Sequence, residues 1–168
     1  IFEKKQKKGS ITVYQGNKKE VMQALNHATF YATETEEILY IDPANAFNPE
    51  HITVDPGHWT DAFEHMKIAR PLSPMQFMLL MENLENEMLK FQTSMVVIAG
   101  MNTALIGLKK REIKQIFPHV LEKIKNLKQE YGIRFLIGNI NTENPLEATN
   151  EILMREIVRN HMRKVIFV

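Results

Sequence analysis

The sequence predicts an α/β domain in three layers, a mainly parallel sheet with helices on its faces. Three observations lead there. Short apolar runs alternate with longer stretches of helical period along the chain, the pattern that builds parallel strands joined by crossover helices. The 168 residues are enough for one core that hides about 70% of the unfolded surface. Cysteine is absent, so no disulfide framework or thiolate metal site stands in for that core, and a reducing cytoplasm is the expected compartment.

Residues 1–8 are a lysine-rich lead-in, and 1–168 reads as a single domain. Strands are expected at 11–15, 38–42, 66–69, 95–99 and 134–139, with a sixth at 164–168. Between the first two, Val21, Ala24, Leu25, Ala28 and Ala32 recur at helical spacing. Phe77, Leu80, Met81, Leu84 and Met88 do the same before the fourth strand. Next comes one long stripe, Ile113, Ile116, Phe117, Val120, Ile124, Leu127 and Tyr131. Gly132 stands where a left-handed residue would end that helix. Pro118 interrupts the stripe and is expected to kink the helix or start a second, because it lacks the backbone donor. A last helix is expected from Leu146 to about His161, with Pro145 in its first turn. Loops fall at 43–49, 55–57 and 141–145.

The 21 Lys+Arg against 20 Asp+Glu leave a net charge of +1, so no global field draws the chain to nucleic acid or anionic membrane. The longest strongly apolar run, 95–101, is far short of the roughly 18 residues that cross a bilayer. In an open α/β sheet, ligands bind beyond the carboxyl ends of the strands. The residues expected there are 16–19, 42–45, 70–73, 100–103 and 139–141.

Several segments, in order, resemble the ATPase core of the RecA/RadA recombinases, especially the archaeal RadA and RadB branches. Gly9-Ser10-Ile11-Thr12 resembles the approach to the family's phosphate loop. Tyr40-Ile41-Asp42 followed by Phe47-Asn48-Pro49-Glu50 resembles its second strand and continuation. Ala69-Arg70, Leu79-Leu80, Thr103-Ala104-Leu105, Arg111, and Tyr131-Gly132-Ile133 leading to Asn139 complete the series. The resemblance implies a RecA-like P-loop NTPase fold, strand order 3-2-4-1-5, with 66–69 at one edge and the first strand between the fourth and fifth.

The catalytic motifs do not follow. A phosphate loop needs G-x-x-x-x-G-K-[ST], whose amides wrap the phosphates and whose hydroxyl holds Mg²⁺. Here Gly16-Asn17-Lys18-Lys19-Glu20 runs straight into the helix. Val97-Ile98-Ala99-Gly100-Met101 has no carboxylate for the metal's water shell, and Ala44 or Asn45 stands where a general base belongs. Asn17, Lys18, Lys19 and Asp42 would be the remnant of a nucleotide site, with Asp42 also suited to capping its own loop. No cofactor is expected; ATP with Mg²⁺ is the alternative. The reading is a catalytically silent paralogue that acts by protein binding, an accessory in DNA recombination or repair. The alternatives are an ATPase with a non-standard phosphate loop and a sequence-neutral single-stranded DNA binder.

For a partner, the resemblance implies strand addition at the sheet edge with an aromatic anchor. The matching positions are Leu39, Ile41, Ala69, Leu79 or Leu80, and Leu84, the peptide running from Lys67 to Arg70; Lys67, Asn83 and Asn86 on the rim depart from the family, and a plain core between strand and helix suits the set slightly better. The chain carries no Phe-x-x-Ala of its own, so the groove would serve another protein, such as a RecA/RadA recombinase. Arg155, Arg159 and Arg163, spaced by four, would line one helix face against DNA, or pair with Glu151 and Glu156. His51, His58 and His65 recur every seven residues, but Pro56-Gly57 breaks any common helix and no metal site is expected. The ten methionines fit gap-filling in the core, and also adaptable partner surfaces.

Overall fold

The computed structural model describes residues 9–48, 56–140, 155 and 164–167. Among the described residues the elements follow in the order β1 (Ser10–Gly16), α1 (Lys18–Ala32), β2 (Ile38–Ile41), α2 (Pro56–Glu64), β3 (Met66–Ala69), α3 (Pro74–Glu82), α4 (Leu84–Lys90), β4 (Met95–Ala99), α5 (Lys110–Tyr131), β5 (Arg134–Ile140) and β6 (Lys164–Phe167). A 3₁₀ turn, Thr103–Leu105, precedes α5. Gly132 closes α5 at φ 67°, in the left-handed region where glycine carries no Cβ penalty.

Three helical expectations are corrected. A helix, α2, starts at Pro56 inside the segment expected to be a loop, because proline's fixed φ and missing N–H suit a first helical turn. The stripe 77–88 is two helices broken at Asn83, yet Phe77, Met81, Leu84 and Met88 all stay buried in one cluster. α5 runs unbroken through Pro118, which sits on its exposed side.

All six strands are parallel, in the order β3-β2-β4-β5-β1-β6. The edge position of β3 holds. So does the run β3-β2-β4 of the expected 3-2-4-1-5 order; the exchange lies in its last two strands, where β5 falls between β4 and β1, and β1 is flanked by β5 and β6. The cause lies in the residue patterns. Arg134-Phe135-Leu136-Ile137-Gly138 is nearly continuous in apolar residues, and β5 is buried on both faces from Phe135 onward, as a central parallel strand must be. In β1, Ile11 and Val13 are buried but Thr12 and Tyr14 are half-exposed, which suits a place nearer the edge.

One face of the sheet, through Val13, Leu39, Ile41, Val96, Ile98, Phe135 and Ile137, packs on α3, α4 and α5. The opposite face, through Tyr40, Val97 and Leu136, packs on α1, Phe47 and Ala62 of α2. Helix α1 approaches the sheet most closely over β5. A Cβ on Gly138 would lie 2.7 Å from Leu25 Cδ1 and 2.9 Å from Val21 Cγ1. Gly138→Ala is therefore expected to cost about 1–3 kcal/mol by overpacking. Urea unfolding checks this, and a neutral result would mean that α1 lifts freely.

Candidate functional site

The carboxyl ends of the strands hold most of the polar residues expected to carry chemistry, and Asn17, Asp42 and Asn102 there are engaged within the fold. A single residue separates β1 from α1. Asn17 caps the helix, its Oδ1 accepting the Glu20 N–H at 2.9 Å, while its Nδ2 donates to the Glu20 carboxylate at 2.7 Å. An N-terminus that would otherwise attract an anion thus already carries one. Lys18 and Lys19 are exposed. Among the described residues no hydrogen bond or ion pair joins them or Asn17 to Asp42.

Asp42 is buried at the end of β2. Its two oxygens accept the N–H groups of Ala46 and Phe47, each at 3.0 Å, and Arg70 Nε stands 3.4 Å from Oδ2. An aspartate that accepts from its own following backbone is a turn former. The turn brings Asn45 to φ 48° and seats Phe47 edge-on against Tyr40, ring centroids 4.9 Å apart. The Tyr40 hydroxyl donates to Asn26 Oδ1 at 2.8 Å, and its pKa is raised first by burial and then by the charge of Asp42. Tyr40 is thus a neutral structural donor.

At the end of β4, Asn102 is fully buried and clasps Ile140 from both sides: Nδ2 donates to the carbonyl at 2.6 Å and Oδ1 accepts the N–H at 3.2 Å. This asparagine lies within the 100–103 segment expected at the strand ends, where the sequence assigns it no role. The signal available for it was a polar residue directly after the apolar run 95–101. On the neighbouring strands Asn139 Nδ2 donates to Gln15 Oε1.

The residues suggested for a partner peptide separate into two sets. Leu39, Ile41 and Leu84 lie in the core, and Leu80 packs half-buried against it. Lys67, Arg70 and Leu79 are exposed, and Ala69 is half-exposed on the edge strand. Lys67 Nζ sits 5.3 Å from the Phe91 ring centroid, within cation–π range. Arg155 is helical and exposed, while Arg159 and Arg163 lie outside the described residues.

The side chains of His51 and His58 lie outside the described residues as well. His65 Nδ1 meets Glu37 Oε1 at 2.6 Å, and its pKa is raised first by that hydrogen bond and then by the charge of Glu37.

An apolar opening lies beside α3, with Ser73 on its rim. A groove of about 510 Å³ runs between α3 and the wall formed by Ile106, Leu108 and Ile116. Among the described residues no helix is long and apolar enough to cross a membrane. No known family model matches the chain, and no curated protein matches it.

Proposed function

We propose that this chain is a catalytically silent α/β domain that works by binding another protein, as an accessory in DNA recombination or repair. The observation that carries the silent half is the junction of β1 and α1. Where a phosphate loop would need several free amides, one residue makes the turn, and Asn17 and Glu20 fill the helix end. Asp42, the other candidate nucleotide ligand, is spent on two backbone amides and on Arg70. Several charge-assisted hydrogen bonds of about 1.5–3 kcal/mol each are thereby missing, which removes several powers of ten of nucleotide affinity.

The recombination setting rests on the ordered RecA/RadA-like segments. The surface that would seat a partner's peptide is the edge strand β3, whose outer side is unpaired in the sheet and whose Ile68 is 38% exposed. Strand addition there would supply backbone hydrogen bonds. Calorimetry with two titrants tests the reading. ATP with Mg²⁺ is expected to give no binding heat at micromolar concentration, and a Phe-x-x-Ala peptide is expected to bind and to lose affinity in Ala69→Trp. Micromolar ATP affinity, or phosphate release abolished by Lys18→Ala, would overturn the silent half. Absence of peptide binding would overturn the other.

A further inference from the structure

Helix α3 is apolar on almost every side. Its nine residues carry a single charge, Glu82, at the last position. Phe77 and Met81 enter the core, yet Met75 is 73% and Leu79 59% exposed, and Leu72 just before the helix is 80% exposed. A helix without a polar face is ordinarily covered all round. Here Met75 and Leu79 form an uncovered ridge beside the apolar groove, whose far wall is Ile106, Leu108 and Ile116.

The charges around this face differ between its two ends: three cations gather at one, while at the other Glu82 stands beside the Lys123 ammonium. α3 and α5 run in the same sense: Met78 and Ile116 line the groove together, and further along the Glu82 carbonyl accepts from Lys123 Nζ at 3.1 Å. Glu82 therefore marks one end, and the exposed turn Lys109-Lys110-Arg111 marks the other. Those three cations stand at the N-terminus of α5, where the helix dipole opposes them. The carboxylate that end calls for is supplied by Glu112, which accepts the Lys109 N–H at 2.6 Å. Neither Glu82 nor the basic turn has an ion-pair partner among the described residues.

We propose that this face is a two-fold interface between two copies of this chain, with the α3 helices packed antiparallel. The ridge of Met75 and Leu79 on each copy fills the groove of the other. A two-fold interface sets one patch against itself, so the patch must be self-complementary. This one is: the centre is uncharged, and reversing α3 brings Glu82 of each copy to the basic turn of the other. A parallel pairing would instead set like charges together. The proposal does not depend on the function proposed above.

Sedimentation velocity on the full chain over a dilution series tests it. The expected result is a dimer that dissociates on dilution. Leu79→Glu is expected to give the monomer mass throughout, with unchanged circular dichroism, because a charge would be buried at the centre of the interface. Glu82→Lys is expected to weaken association about tenfold, through two symmetric repulsions, and adding Lys110→Glu in the same chain is expected to restore it. These last two positions are exposed, so the charge pair decides the matter even if Leu79→Glu misfolds. A monomer at every concentration, a dimer that survives Leu79→Glu, or a charge swap without recovery would overturn the proposal. So would a chain that stays single while a different protein fills the groove.

Discussion

Arg134→Met is expected to lower the unfolding free energy by about 1.5–3 kcal/mol, a sizeable part of the roughly 5–15 kcal/mol that holds a domain together. The cause is what the substitution leaves behind. Glu36 is 4% exposed, and its Oε2 meets Arg134 Nη1 at 2.6 Å. That contact joins the start of β5 to the residues leading into β2. The Arg134 side chain is 42% exposed, so the pair is half-buried; removing the guanidinium withdraws a charged partner from the buried Glu36 carboxylate, whereas replacing both partners by apolar groups can be nearly neutral. The double variant Arg134→Met with Glu36→Leu is therefore expected to recover most of the loss. Urea unfolding of the two singles and the double forms a cycle that isolates the pair. A loss below about 1 kcal/mol in Arg134→Met would mean that the pair behaves as a solvent-screened surface contact.

Asp42→Ala is expected to cost about 3–5 kcal/mol, because the buried Phe47 N–H and the half-buried Ala46 N–H lose a charged acceptor and Arg70 loses its partner. The loop from Pro43 to Phe47 would lose its anchor, and with it the packing of Phe47 on Tyr40 and Phe63. Asp42→Asn keeps one acceptor oxygen for one of the two amides and is expected to cost about half as much. Thermal unfolding ranks the three chains. If Asp42→Ala unfolds with the unsubstituted chain, the carboxylate does not hold the turn, and a ligand-binding role for it regains its standing.

Local structure and the class of fold are written in the pattern of neighbouring residues. Apolar runs and their polar ends located all six strands to within a residue or so, because a strand buried between helical layers must be apolar and short. The α5 stripe and Gly132 were legible for the same kind of reason, since a period and a left-handed cap are properties of neighbouring residues. The direct passage from β1 into α1 was equally plain, because Gly16-Asn17-Lys18 leaves almost no residues for a loop.

Tertiary structure alone decided which strand lies beside which, and which side of an apolar helix remains open. Strand order depends on pairings between residues far apart in the chain, and the borrowed order placed β1 where the fold places β5. The hint was present in the alternation of Ile11-Thr12-Val13-Tyr14 against the unbroken Phe135-Leu136-Ile137, but only the assembled sheet gives it weight. Likewise Leu79 and Leu80 are chemically identical neighbours, and the local pattern cannot rank them. Leu80 packs against the core while Leu79 is 59% exposed, because the direction from which β4 and α5 approach α3 selects the face that is covered.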